Sequence, residues 1–443
     1  MSKLNKITVL IIAVFAGCVL SVLHKTGGLL FFAALTGGLI FFMLRKAPAA
    51  DRRFLIWMVA AVFVTRAALG VAVMAARNNE LTQDEGLYSK KALAETCAFK
   101  GYKDMEEMIG GYLNDEDLLN VSYGHNGYTF VLACFYRVFG YQIQTARLIS
   151  VFFFIVTFVL IYFLVRDSFG RAPARIASFV LAFLPSLALW SVMIGIDMMV
   201  LLGVTGYVFA FSRLMKKRSV VWALMMLASL LTVGAVRKYV MAILIAVTAV
   251  IFFIRLVSGL NVKARAVLGI VIVLSGLLLA VSPLAPSVKK PFNDRMKIMI
   301  MRQRDFVRAD DAGYAVYPEK CYETGRCGPA DFVKAYTKGM AYVLFSPFPW
   351  SIESKLQLMA YPQVVFFYLI FPFIVYGVMA GWKADRDTTL LVFLYILAVC
   401  SMLALVEGNV GSLFRHRDMV TPFFIVFFGV GFCAALRRAR SGK

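Results

Sequence analysis

The sequence predicts an all-α integral membrane protein with about twelve transmembrane helices, and three observations lead there. Apolar residues fill 61% of the 443 positions and charged residues only 16%. The mean hydropathy is +0.77, far from what a soluble chain of this length needs for its surface. Runs of about twenty apolar residues, enough to cross a bilayer as helix, recur near 7–23, 28–44, 54–76, 145–165, 174–190, 194–212, 220–236, 239–256, 266–284, 361–381, 388–406 and 419–436.

The chain carries 47 Lys and Arg against 25 Asp and Glu. That excess is read as topology rather than as a nucleic-acid footprint, because of where it falls. Arg45, Lys46, Arg52 and Arg53 lie in one connection, and Arg166, Arg171 and Arg175 in another. Arg213 to Arg218, Arg255 to Arg265, Lys383 with Arg386, and Arg437 to Arg440 follow. Threading the spans in order puts all of these on one side, the cytoplasmic one by the positive-inside rule, and both termini with them. The first apolar run lacks a convincing cleavage site and is followed at once by a second, so it is expected to be a retained helix. The expected location is the inner (cytoplasmic) membrane.

Two loops break the alternation, and both fall outside. The first, 77–143, holds ten of the 25 acids, among them Asp84 and Glu85. Its stretch from Glu85 to Tyr112 reads as surface helix. Tyr128–Phe139 is apolar, too short to span, and is expected to lie along the membrane surface. The second, 285–360, begins strongly basic, with Lys289, Lys290, Arg295, Lys297, Arg302, Arg304 and Arg308 against the charge trend. No repeat and no separate soluble domain is evident, so the expectation is a single polytopic membrane domain. Of the seven cysteines, Cys18, Cys134, Cys400 and Cys433 read as packing residues. Cys321 and Cys327 bracket a polar turn where an oxidising compartment permits a disulfide, with Cys97 a competing partner.

Polar groups that bear chemistry gather on the outer side. They are Asp84 and Glu85 after the third span, His125 at the end of the first loop, and Asp197 near the outer end of the sixth span. Arg237 and Lys238 form the turn between spans seven and eight, and Arg415 and Arg417 precede the last span. Ionisable groups against apolar segments are costly and are usually retained for function. A carboxylate can take the proton of an attacking hydroxyl, and Arg and Lys can neutralise a departing phosphate. Each also has an ordinary reading: headgroup anchors for the cations, a helix-pairing residue for Asp197, a loop histidine for His125, a solvated acid for Glu85.

The order of these features resembles the polytopic membrane glycosyltransferases of the GT-C superfamily, closest to the branch of protein O-mannosyltransferases and lipid A aminoarabinose transferases. Asp84-Glu85-Gly-Leu-Tyr88 is similar to their acidic first-loop motif. His125-Asn-Gly stands where they often carry His-Pro-Pro, so both prolines are missing. Phe135-Tyr-Arg-Val-Phe-Gly140, Ala146-Arg147-Leu148 and Phe169-Gly-Arg-Ala-Pro-Ala-Arg175 follow in the expected order, then Leu184-Pro185 and Arg237-Lys238-Tyr239. Arg415-His-Arg-Asp-Met-Val-Thr-Pro422 is similar to a late Arg-Tyr…Pro segment, with His416 in the aromatic position.

The resemblance implies a donor sugar on a polyprenyl phosphate, a lipid, glycan or protein acceptor, and inverting transfer in a site facing the periplasm or exterior. It makes Asp84 the general base. Arg237, Lys238, Arg415 and Arg417 would bind the donor phosphate, and Glu85, His125 and Asp197 would position groups or contact the acceptor. Some relatives use a divalent metal; no ligand set for one is evident here. Twelve spans with both ends inside also fit a secondary transporter, and Asp167-Ser-Phe-Gly-Arg171 resembles a carrier loop, but after the wrong span and without a repeat between halves. A non-catalytic membrane scaffold is the third reading. It requires that the outer charges be dispensable.

Overall fold

The computed structural model describes residues 48–76, 83–100, 127–259, 285–308, 312–352 and 355–440, with residues 34, 35, 37, 38, 45 and 442 besides. The predicted spans at 7–23, 28–44 and 266–284, and His125, lie outside the described residues. Among those described the protein is all-helical, with one isolated bridge between Gly313 and Asn409. Among the described residues seven helices are long and apolar enough to cross a membrane, at Ala49–Gly70, Thr145–Phe169, Asp197–Lys216, Lys238–Gly259, Ala360–Ala384, Arg386–Val406 and Thr421–Arg440. The chain divides into two compact units, Met1–Met241 and Ala242–Lys443.

In the first unit, α1 (Ala49–Ala76), α2 (Gln83–Lys100), α3 (Gly127–Phe139) and α4 (Ile143–Phe169) are followed by α5 (Arg171–Phe183) and α6 (Pro185–Trp190). Then come α7 (Asp197–Lys216) and α8 (Val220–Val236). Helices stand at both places where surface helices are expected. α2 covers the described part of Glu85–Tyr112, whose residues 101–112 lie outside the described ones, and α3 covers Tyr128–Phe139. On α2, Glu85, Ser89, Ala92 and Thr96 are buried, a spacing of four, three and four that lines one helix face. That face packs on α3 through Ser89 Oγ to Tyr136 Oη at 2.8 Å, Thr96 Oγ1 to the Ala133 carbonyl at 3.1 Å, and Thr129 Oγ1 to Glu95 Oε1 at 2.7 Å.

The expected fifth span, 174–190, is not one helix. Pro185 lacks the amide that would continue the ladder, and Leu184 before it is extended at φ −67°, ψ 119°, as proline requires of its predecessor. The chain breaks there into α5 and α6, and residues 191–196 then run without helix although they are buried. At membrane depth such backbone persists only if its polar groups find partners inside the protein. Those partners are described below.

In the second unit, α9 (Lys238–Gly259, which starts in the first) leads to α10 (Ala285–Val307), α11 (Glu319–Thr324) and α12 (Pro329–Phe345). It closes with α13 (Lys355–Ala384), α14 (Arg386–Val406), α15 (Val410–Arg417) and α16 (Thr421–Arg440). The region expected as the second loop is thus largely helical, and α12 packs against α14. Cys321 and Cys327 form a disulfide around the turn after α11, with Cα atoms 5.2 Å apart. The most extensive helix pairing is α13 with α16. A Cβ on Gly377 would fall on the Phe427 carbonyl, and one on Gly431 on the Phe373 carbonyl, so the backbones approach as only small residues allow.

Gly377→Ala should cost about 1–3 kcal/mol by overpacking this crossing. A fall in the thermal midpoint of the detergent-solubilised protein checks it; an unchanged midpoint contradicts the packing described.

Candidate functional site

In the first unit Glu85 and Arg147 meet at the irregular segment 191–196, and Asp197 and Arg237 meet where it ends. Arg147, the fifth residue of α4, places Nε 2.7 Å from Glu85 Oε1 and Nη2 3.1 Å from Oε2. Both side chains are buried, at 6% and 1% exposure. The same Oε1 accepts the Ile194 amide at 3.1 Å. The Gly195 amide donates to Tyr128 Oη at 3.2 Å. Two amides that the broken helix leaves over are therefore bonded by one side chain from α2 and one from α3. Burial pushes the Tyr128 phenol well above its ordinary range, so it stays neutral and can accept here without becoming a second buried anion.

Asp197 follows at once. It is the first residue of α7, rather than one turn inside the span as the hydropathy pattern implies. Arg237 is the residue between α8 and α9, its amide bonded to the Val233 carbonyl at 2.7 Å. The Arg237 guanidinium reaches Asp197 Oδ1 at 2.8 Å and the Tyr239 hydroxyl at 2.7 Å. An acid at a helix start is favoured by the helix dipole, so Asp197 gains from its position as well as from its partner. Arg237 instead lies between the end of one helix and the start of the next, whose dipoles oppose each other there. Lys238, the next residue, is exposed.

Gly127 brings in the far end of the first loop. A Cβ there would lie 2.7 Å from that of Ala235, two residues before Arg237, so α3 starts against the end of α8. Beneath the whole arrangement lies an apolar cluster that includes Tyr128, Leu132, Tyr136, Ala146, Ile149 and Ile196. Asp84 is the second residue of α2, directly before Glu85.

The second unit holds the remaining expected cations. Arg417 is buried, its Nη1 donating to the carbonyls of Val343 at 3.2 Å and Ser346 at 3.0 Å, at the C-terminal end of α12. Phe414 and Phe367 lie 5.0 and 5.9 Å from its guanidinium carbon. Burial lowers its pKa, while Asp418 works in the other direction; an arginine nonetheless remains a cation. Arg415, two residues earlier on the same helix, is half-buried. Positions two apart on a helix face different ways, so the two arginines do not form one fork.

Sequence reasoning passed over a third group in this unit. Glu407, buried just after α14, accepts Ser412 Oγ at 2.8 Å on Oε2 and contacts His416 Nδ1 through Oε1. Its only signal in sequence was an acid at the end of an apolar run. Among the described residues no three His, Cys, Asp or Glu come together as a metal site.

A family model described as dolichyl-phosphate-mannose-protein mannosyltransferase matches residues 127–286, under half of the chain. No curated protein matches it. The family match begins at Gly127 and takes in Tyr128, Arg147, Asp197, Arg237 and Lys238, and it supports a membrane glycosyltransferase of the GT-C type.

Arg147→Met should leave Glu85 buried without its counter-charge and cost about 3–5 kcal/mol, whereas Glu85→Gln combined with Arg147→Met should recover part of that loss. Thermal unfolding of the three proteins in one detergent decides it. Equal stability of the single variant and the parent would remove the pair from its structural role.

Proposed function

We propose that the chain transfers a sugar from a polyprenyl phosphate to an acceptor hydroxyl on the external face of the cytoplasmic membrane, with inversion. The observation that carries the reading is the junction in the first unit. There the start of α2, a buried Glu85–Arg147 pair and a buried Asp197–Arg237 pair meet around non-helical backbone, inside or beside the segment the mannosyltransferase model matches. Several buried charges held this closely in an apolar bundle are what a site for an ionic reaction requires.

In the proposed step the acceptor oxygen attacks the anomeric carbon while the bond from that carbon to the phosphate oxygen breaks. The hydroxyl proton passes to the Asp84 carboxylate, and the bonding electron pair leaves on the polyprenyl phosphate. Arg237 and Lys238 are assigned to neutralise that developing charge. Glu85 is occupied by Arg147 and the Ile194 amide, which favours Asp84 as the base and gives Glu85 a positioning role. Asp197 orients Arg237, and His125 is assigned to the acceptor. The acceptor is a lipid, glycan or protein hydroxyl of the cell envelope. No step here runs through a metal.

Asp84→Asn should abolish transfer while expression and donor binding persist; full activity in that variant refutes the assignment. Lys238→Ala, at an exposed position, should raise the apparent donor constant several-fold with little change in stability, and Arg237→Lys should keep more donor affinity than Arg237→Ala. An unchanged donor constant in all three would count against phosphate capture at this turn.

A further inference from the structure

At the other end of the first unit lies a second charged cluster, about 30 Å from Arg147 along α4 at 1.5 Å per residue. Asp51, near the start of α1, is fully buried. Arg171 Nε lies 2.9 Å from its Oδ1, Arg175 Nη2 4.0 Å from the same atom, and Arg166 Nη1 3.5 Å from Oδ2. Asp167 pairs with Arg166 at 2.8 Å and with Arg213. Lys216 Nζ donates to the Asp167 carbonyl at 3.1 Å. Four arginines thus share two carboxylates, with Lys216 on the Asp167 backbone carbonyl beside them.

We propose that this cluster binds the phosphate of an anionic phospholipid headgroup. Arg171 and Arg175 present the open side: they are 51% and 42% exposed although each also faces the buried Asp51. Arg175 spends one amino group on the Ala50 carbonyl at 3.0 Å, and its Nε is a buried donor with no acceptor. The same place is the start of α5, thirteen residues long, which no side chain caps. Gly170 opens it at φ +101°, a conformation that favours glycine, and leaves the amides of Arg171 and Ala172 among the arginines. Pro173 has no amide to add, and the end of α4 at Phe169 offsets the dipole of α5.

Charge balance alone would place basic residues near this surface without burying an acid beneath three of them. The neighbouring surface is lipid-facing in character. Trp57, six residues along α1 from Asp51, is exposed, as are Phe179 and Phe183 on α5. Tryptophan is enriched at membrane interfaces. An aliphatic tail beside the phosphate therefore favours a lipid over free phosphate, and the positive-inside rule assigns the cluster to the cytoplasmic leaflet. The site lies apart from the proposed reaction and does not depend on it.

The test is native mass spectrometry of the full chain released from nanodiscs containing phosphatidylglycerol and phosphatidylcholine. The parent should retain phosphatidylglycerol preferentially. Arg171→Gln with Arg175→Gln should weaken that retention about 25-fold, at about fivefold per cation near the surface, and leave phosphatidylcholine unaffected. Asp51→Asn should keep or tighten it. If the double variant misfolds, adding Asp51→Asn removes the buried acid and should restore folding while still losing the lipid. Equal retention of both lipids, undiminished phosphatidylglycerol in the arginine variants, loss in Asp51→Asn equal to theirs, or inorganic phosphate bound in place of lipid each overturns the proposal.

Discussion

The first unit depends on one carboxylate. Glu85 accepts two hydrogen bonds from Arg147 and one from the Ile194 amide, and so fixes α2, α4 and the broken stretch before α7 to one another. A buried ion pair of this kind contributes little net stability against an apolar replacement, since desolvation consumes most of the attraction. It does something an apolar contact cannot. It offers an acceptor to backbone that has left its helix in an apolar surrounding, where an unsatisfied amide would cost several kcal/mol.

Buried arginines end helices elsewhere by the same logic. Arg66, in the middle of an apolar span, turns its guanidinium to the Ala182 carbonyl in the last turn of α5 and lies 4.4 Å from the Phe154 ring centre. Arg417 does the equivalent at the end of α12. Each supplies donors where a helix leaves carbonyls over, and each is favoured by the negative end of that helix's dipole. The breaks at Pro185 and after Phe345 are thereby built features, and they are the places where ionisable groups enter the apolar parts of the chain. In the first unit this produces a junction of carboxylates and cations suited to an ionic displacement.

Much of this could be read from residues. The apolar runs located the long helices because twenty apolar residues can satisfy their backbone in lipid only as helix, and Val220–Val236 emerges with the expected bounds. The short amphipathic α3 and the charged α2 were legible from length and pattern. The break at Leu184–Pro185 carried its own signal, yet hydropathy averaged across it and merged α5 with α6. Ion pairing was hidden for a different reason. Arg147 is 62 residues from Glu85 and Arg237 is 40 from Asp197, and partners that distant are set by helix packing rather than by spacing. Glu407 escaped because it belongs to no local motif, and its contact with His416 was hidden with it.

The proposed single displacement at the anomeric carbon, with one carboxylate base and a phosphate leaving group, is tested most directly by the stereochemistry of the product. The purified chain, reconstituted with a polyprenyl-phosphate sugar of known anomeric configuration and an envelope extract as acceptor, should yield a glycoside whose anomeric proton coupling shows the opposite configuration. A product with retained configuration, or none formed with any such donor, would contradict it.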